Sequence, residues 1–517
     1  MNLPALVPIP VHISAGEGCF TLGPSTTIGG GPGAEKVARY LRNRLQACTG
    51  HEYAATQTGD IQLEIHPSAP ADEGYRLEVS PAGISLKSQS AAGLFYGVQT
   101  LLQLMPSAVY AAAPAGLTEW TIPSLKIEDA PAFSWRGSHL DVGRHFMPIE
   151  FLRKYIDLLA MHKMNTLHLH LTEDQGWRME IKKYPELTER GAWRKETIVG
   201  HARESTSFDG VVHGGFYTQD QLRELVAYAA ERFITIVPEI DMPGHMQAAV
   251  AAYPDLGNSP DSPVGVWTSF GVTPHVLSLS ESAIQFMKDV LTEVMDVFPS
   301  RYIHIGGDEC PTEEWEKSEP MQALMAREGI EDVHHLQAWL NNQLDEFLQA
   351  HGRTMVGWDE ILEGGLAPGA VVMSWRGEDG GIAAANAGHD VVMTPGGWTY
   401  FDHYQSEDKE REPLAIGGFT DLEKVYGYHP VPGALSGEKA KHVLGSQFQI
   451  WTEYMKTSRQ VEYMAYPRAC ALAEVLWASP AERDFAEFTA RLSVHLQRLD
   501  RMGVNYRPLS GPAWPRY

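Results

Sequence analysis

The sequence predicts an α/β protein in which a (β/α)8 TIM barrel follows a small α+β domain. Three observations lead there. From Arg136 onward, about eight apolar strand-like runs alternate with amphipathic helical stretches. The residues before about 130 carry a different rhythm of short strands and turns. The strands of the second pattern end repeatedly in carboxylates and tryptophans.

The α+β domain is assigned to residues 1–130 and the barrel to residues 131–517. In the first, runs such as IQLEIH and YRLEVS have β-type composition and are bounded by turn residues. The stretch AAGLFYGVQTLLQL, Ala91 to Leu104, spaces its apolar residues as a helix does. KIEDAPAF reads as the link to the second pattern. A chain of 517 residues exceeds the ~100–200 of an ordinary domain unless a barrel takes most of it.

The barrel strands are read as HLDV (139–142), TLHLHL (166–171), TIVPEI (235–240) and YIHIGG (302–307), then TMVGW (354–358), AVVMSW (370–375), DVVMT (390–394) and VLGSQFQIW (443–451). Between them, Thr218 and Gln221 form a capping-box pattern ahead of Leu222, Leu225, Val226 and Ala229. Ile284, Met287, Leu291, Val294 and Phe298 share one helical face. Eight buried strands alternating with helices fit a barrel. A doubly wound open sheet shows the same alternation, and periodicity alone does not separate the two.

Composition narrows the function. Lys plus Arg is 41 against 65 Asp plus Glu, a net charge of −24. That opposes nucleic-acid or anionic-membrane partners and suits a neutral substrate such as a sugar. No apolar run reaches the ~18 residues of a membrane span. Cys19, Cys48, Cys310 and Cys470 form no CxxC pair, which argues against a zinc knot; free thiols are expected. The opening MNLPALVPIPVHISAGEG lacks a basic stretch, a long apolar run and a small-residue cleavage site. A cytoplasmic location is the expectation, and a secreted protein with its signal removed is the alternative.

Barrel enzymes place their chemistry at the C-terminal strand ends. Here those ends read Asp141-Val-Gly-Arg144, Glu173-Asp174, Glu239-Ile-Asp241, Asp308-Glu309, Trp358-Asp359-Glu360, Trp375 and Trp451-Thr-Glu453. Acids beside flat aromatic walls suit a carbohydrate, whose C–H faces pack on rings and whose hydroxyls need charged partners. The sharpest signal is HIGGDECP, His304 to Pro311. Two carboxyls side by side at the end of a buried strand raise a pKa by desolvation and like-charge proximity, and a protonated carboxyl is a general acid. The bland alternative is a helix N-cap. The preceding Gly-Gly favours function, because it lets a ligand approach the backbone. Gly396 to Lys441 is long and rich in Gly, Pro and Tyr, as functional loops often are.

The sequence resembles glycoside hydrolase family 20, the β-N-acetylhexosaminidases. The resemblance rests on RGSHLDVGRHF from Arg136, NTLHLHLTEDQGWR from Asn165, VPEIDMPGH from Val237, HIGGDE, VGWDE, the Trp-Thr-Tyr-Phe-Asp stretch ending at Asp402, and QIWTE, in that order. It covers about residues 1–510 and implies an exo-acting, retaining, substrate-assisted hydrolase of terminal β-linked GlcNAc or GalNAc. By resemblance, Glu309 is the general acid and base, Asp308 orients the 2-acetamido group, and Tyr400 donates to its oxygen. Trp358, Trp375 and Trp451 box the sugar, Arg144 holds O3 and O4, and Asp402 and Glu453 meet O4 and O6. His245 tunes Glu309, with its carboxylate partner at Glu173 and Asp174 able to share that role. No cofactor or metal is implied, and the oligomeric state stays open.

Two other classes are weighed. His168 and His170 on one strand face suggest a metallohydrolase, which needs further histidines at later strand ends, where this chain has tryptophans. A catalytically silent sugar-binding protein is the second, since fold does not fix activity.

Overall fold

The computed structural model describes residues 4–514 apart from 71 and 118; the outermost positions of both predicted domains, 1–3 and 515–517, lie outside the described residues. The first unit is a seven-stranded mixed sheet. Its strands are β1 (His12–Leu22), β2 (Ile28–Gly30), β3 (Ala55–Thr56), β4 (Ile61–Ile65), β5 (Tyr75–Ser80), β6 (Gly83–Ser88) and β7 (Trp120–Asp129), ordered β1-β7-β5-β6-β4-β2-β3. Along β5, Tyr75, Leu77 and Val79 are buried while the residues between them are not. That alternation marks a sheet with one face on a core. Helices α1 (Glu35–Thr49) and α2 (Ala91–Leu104) pack against the sheet and supply Leu41, Leu45, Leu94, Val98 and Leu101 to its core.

The second unit is a closed barrel of eight parallel strands. They are β8 (Trp135–Asp141), β9 (Thr166–His170), β10 (Thr235–Glu239), β11 (Tyr302–His304), β12 (Thr354–Trp358), β13 (Val371–Ser374), β14 (Val391–Met393) and β15 (Val443–Ile450). Each overlaps a run read from the sequence, although β8 begins at Trp135, four residues before the run HLDV, and β11 ends at His304, before the Gly-Gly of its run. Closure by β15 on β8, in register from Gly445 opposite Trp135 to Ile450 opposite Leu140, excludes the open sheet. Every residue of β8 and β9 is buried, as expected of strands covered on both faces. The capping box is formed, with both Thr218 and Gln221 bonds present. In the helix Glu281–Val297, Met287, Leu291 and Val294 are buried, while Ile284 is only partly so and Phe298 is the C-cap.

Two local readings need correction. KIEDAPAF is not all linker: Lys126 to Asp129 complete β7, because they pair in register with β5 and β1. The Gly396–Lys441 segment, read as one long loop, also contains the short helices Gly396–Thr399 and Leu422–Tyr426. Asp129, the last residue of β7, bolts the two units together. Its buried carboxylate accepts from Trp477 Nε1 at 2.8 Å, Lys163 Nζ at 2.9 Å, Tyr75 OH at 2.6 Å and Val11 N at 3.0 Å. Cys19, Cys48, Cys310 and Cys470 are free thiols. Among the described residues no helix is long and apolar enough to cross a membrane.

Candidate active site

The C-terminal strand ends enclose a cavity of about 600 Å³. Arg144, Asp308, Glu309, Trp358, Trp375, Tyr400, Asp402, Trp451 and Glu453 all line it. These nine residues come from the ends of β8, β11, β12, β13 and β15 and from the loop after β14, so only barrel closure brings them together.

Asp141 joins the first and last strand ends. One carboxylate oxygen accepts from the Gly143 and Arg144 amides at 2.8 and 3.1 Å; the other accepts from Thr452 N and Oγ1, both at 3.0 Å. Arg144 is thereby aimed inward. Its guanidinium lies 4.9 Å from the Trp451 ring centroid and 2.9 Å from Glu173 Oε2; Nη1 is 3.6 Å from Asp141 Oδ2, and neither Nε nor Nη1 has a hydrogen-bond partner.

After β11 the backbone turns through Gly306 and Gly307 at φ 69° and 96°. A Cβ on Gly306 would collide with Asp241 Oδ1, which accepts from Gly307 N at 3.0 Å. This turn presents Asp308 and Glu309 to opposite environments. Asp308 is buried, with Oδ1 lacking a hydrogen-bond partner. The Glu309 side chain is 42% exposed at the mouth, on a backbone held at φ 47°. Neither residue caps a helix; the next helix begins at Glu313 with Thr312 before it.

The acid–base balance differs from the sequence expectation. Burial raises Asp308, whereas Glu309 is lowered, chiefly by its hydrogen bond to His245. The raised carboxyl is therefore the deep one, because only it loses its water. His245 Nδ1 contacts Glu173 Oε1 at 2.8 Å and Asp174 Oδ2 at 3.2 Å, so both acids serve it. Its Nε2 lies 3.5 Å from Glu309 Oε2 and 3.7 Å from Asp308 Oδ2. Burial works against a charge on His245, but Glu173 and the acids around it hold its pKa well above the usual histidine range. Glu173 is pushed up by burial, yet Arg144 and His245 hold it well below the carboxylate range.

The aromatic walls are positioned by carboxylates. Trp358 Nε1 donates to Glu239 at 2.9 Å and Trp375 Nε1 to Glu360 at 2.9 Å. Trp375 is nearly parallel to Tyr400, with centroids 6.1 Å apart and 21° between planes, and Trp358 and Trp451 centroids are 5.7 Å apart. Tyr400 and Asp402 ride on the loop after β14. Arg468, fully buried in the helix Arg468–Trp477, clamps that loop: it donates to the carbonyls of Phe401 at 2.5 Å, Thr420 at 2.7 Å and His403 at 3.2 Å, and to Met464 O of its own neighbourhood at 2.7 Å. Burial and the neighbouring Glu453 raise Asp402 well above the carboxylate range; Glu453 is also raised by burial.

The reading that no further histidines accompany His168 and His170 is corrected. His139 from β8 and His304 from β11 share the barrel interior with them, gathered around Glu239. Tryptophans occupy the strand tips, and the histidines stand one layer below. Their residue types could hold a divalent cation; four of their eight ring nitrogens are hydrogen-bonded within the protein, and both nitrogens of His139 and the Nε2 atoms of His168 and His304 are not. His168 Nδ1 accepts from Gln447 at 2.9 Å and its Nε2 meets Glu239 at 3.0 Å; His304 Nδ1 accepts from Gly306 N at 2.9 Å. Sequence reasoning assigned no role to Glu239, Asp241, Glu360 or Arg468, and weighed His170 only as a metal ligand. Glu239, Asp241 and Glu360 carried a signal, being acids at strand ends; Arg468 carried none.

The family described as "Glycosyl hydrolase family 20, catalytic domain" matches residues 133–480, and "Glycosyl hydrolase family 20, domain 2" matches residues 3–130. A beta-hexosaminidase of Porphyromonas gingivalis is 46% identical over 512 residues, covering 97% of this chain; the chain spans 64% of that protein's length. A beta-hexosaminidase of Vibrio furnissii is 38% identical, covering 91% of this chain and 76% of the relative. Among solved structures, an exo beta-N-acetylglucosaminidase from Vibrio harveyi in complex with N-acetylglucosamine superposes with a TM-score of 0.85 at 33% identity, covering 98% of this chain and 78% of the other. A mutant beta-hexosaminidase of Streptomyces plicatus in complex with its product, GlcNAc, gives 0.84 at 31% identity and covers 100% of this chain and 98% of the other.

Proposed function

The chain belongs to glycosyl hydrolase family 20, and we propose that it is an exo-acting, retaining β-N-acetylhexosaminidase that removes terminal β-linked GlcNAc or GalNAc by substrate-assisted catalysis. One observation carries this reading: of two adjacent carboxyls, Asp308 is sunk among tryptophans with an unpaired oxygen, and Glu309 stands at the mouth. That division suits an acetamido group held at depth and a leaving group held at the rim.

In this reading the acetamido group lies in the box of Trp358, Trp375 and Trp451. Asp308 takes its N–H and Tyr400 donates to its oxygen, which attacks the anomeric carbon. Glu309 protonates the departing oxygen and then activates water. Glu309 is low in the open site; a bound sugar displaces its water and raises it toward the acid's working range. His245, its Nε2 3.5 Å from Glu309 Oε2, sets that proton affinity through its own charge. Asp308 balances the positive oxazolinium, a contact strengthened where water is excluded. Arg144, Asp402 and Glu453 occupy the far wall, which limits the site to a terminal residue. Most retaining glycosidases use a carboxylate nucleophile, and substrate-assisted families are the stated exception.

The experiment is turnover of a chromogenic β-N-acetylglucosaminide against the matching β-glucoside, with mass spectrometry of the quenched reaction. Turnover confined to the N-acetyl sugar, with no protein-bound glycosyl group, is expected. A glycosyl group covalently attached to Asp308 or any other side chain would overturn the mechanism. No metal is assigned, so metal-stripped enzyme is expected to retain full turnover; loss that zinc restores would instead favour the histidine layer as a metal centre.

A further inference from the structure

Beneath the tryptophans lies a layer of polar groups that the catalytic scheme leaves unused. Glu239, His139, His168, His170 and His304 are all fully buried. Glu239 is the hub. Its Oε2 accepts from His170 Nδ1 at 2.6 Å and lies 3.0 Å from His168 Nε2, and its Oε1 accepts from Trp358 Nε1 at 2.9 Å. The His168 proton is on Nε2, because Nδ1 accepts from Gln447.

His170 has no such freedom. Nδ1 faces Glu239, and Nε2 faces Glu173 Oε2 at 3.2 Å. An ionised carboxylate only accepts hydrogen bonds, so both ring nitrogens must donate. The ring between the two acids is therefore an imidazolium. From Glu173 the chain continues to Arg144 at 2.9 Å and, through Oε1, to His245 at 2.8 Å and then to Glu309.

We propose that Glu239 is a positioning residue for catalysis: its buried carboxylate holds His170 in the two-proton form that anchors Glu173, and the same carboxylate fixes the indole of Trp358. One side chain thus couples the acetamido wall to the general acid. The inference deepens the hexosaminidase reading and rests on it for the roles of Trp358 and Glu309.

The groups facing His170 are named from each neighbouring strand. Asp141 and His139 face it from β8, His168 and Glu173 from its own chain segment, and Glu239 and Asp241 from β10. Burial disfavours its charge, but the acids prevail and hold it well above the usual histidine value. His168, equally buried beside the same carboxylate, is pulled down to about 4 by burial and then by His304. Two flanking carboxylates, rather than one, distinguish His170. His162, buried elsewhere against a backbone carbonyl and His495, also falls to about 4 through burial.

The test has two arms. In the native chain, imidazole NMR of histidine-labelled protein, with His170 assigned by its loss in His170→Asn, should show both ring nitrogens protonated from pH 5 to 8. A neutral or metal-bound His170 ring would overturn the proposal, and this measurement requires no activity. In the second arm, Glu239→Gln removes the anion and keeps the shape. Its His170 should release a proton within the assay range, so kcat falls by about 10²-fold near pH 8, the lower end of what general acid catalysis contributes, and by much less near pH 5. A loss equal at all pH values, or no loss, would overturn the coupling. Glu239→Asp, which restores the anion, should recover the wild-type pH dependence; if it keeps the Gln profile, the charge is not what matters. If the native enzyme fails to cleave N-acetylhexosaminides, the functional reading fails, while the NMR arm still decides the state of His170.

Discussion

The cavity at the strand ends, about 600 Å³, is matched in size by one of about 640 Å³ in the cleft between α1 and the barrel's outer helices. Volume does not distinguish them. In the cleft the charges are spent on one another: Arg232 lies 2.5 Å from Asp157 and packs over Tyr228, and Arg39 lies 3.7 Å from Glu231. At the strand ends, Asp308 has His245 beside it, Asp402 has Arg468 and Arg144, and Glu453 has Arg144, yet burial raises all three. Stability is served in one place and sacrificed in the other, which is how functional sites differ from structural grooves.

Substitutions should separate the two cavities sharply. The largest effect is expected from Glu309→Gln, a loss of about 10²–10⁴-fold in kcat on natural glycosides. The loss should be smaller in the glycosylation step for a substrate with a good leaving group. Equal losses on both in single-turnover assays would refute the acid role. Tyr400→Phe comes next, at about 10²–10³-fold, the scale of removing one donor to a developing charge; stopped assays at saturating substrate measure it.

A smaller effect concerns stability. Glu360, beside Trp375, is raised to about 8, first by burial and then by the Asp308 charge. An acid whose folded pKa lies above its unfolded value near 4.5 binds its proton more tightly in the fold. Its contribution is full below about 4.5 and is lost as pH rises toward 8. Tm by calorimetry should therefore fall between pH 5 and pH 8 by a few degrees, since about 1 kcal/mol moves a large domain's Tm by ~2 °C. Glu360→Gln should reduce that slope, to which the raised Asp308, Asp402 and Glu453 also contribute, and an unchanged slope would show that Glu360 takes no part in it. The smallest effect belongs to the cleft. Lys36→Ala with Arg44→Ala should leave kcat/KM within about twofold, as surface changes shift free energies by roughly 0.5 kcal/mol or less. A large loss there would erase the contrast between the cavities.

What was legible in the sequence follows from the range of the forces involved. The eight strands could be read because each is an apolar run covered on both faces, a local pattern. The strand-end acids could be read because barrel topology fixes which end bears chemistry. The division of labour between Asp308 and Glu309 could not. Adjacent in sequence, they face opposite environments because Gly306 and Gly307 turn the chain against Asp241, 66 residues earlier. The histidine layer was half visible. His168 and His170 stand together in one motif, but His139 and His304 arrive from strands on either side, and their meeting is a property of the closed sheet. The KIEDAPAF segment misled because its pairing partners, β5 and β1, are distant in the chain.

The Arg468 clamp has a kinetic consequence. Four backbone carbonyls fastened to a single buried guanidinium leave the Tyr400–Asp402 segment with little freedom to lose. A ligand arriving there finds its donors already in place and spends no conformational entropy assembling them, whereas a mobile flap would charge roughly 1–2 kcal/mol for each residue it ordered. Such a wall has no part that must close over a ligand or reopen to release it. The rate of product departure would then be governed by contacts at the mouth and the tryptophan box, with no gating motion on the path.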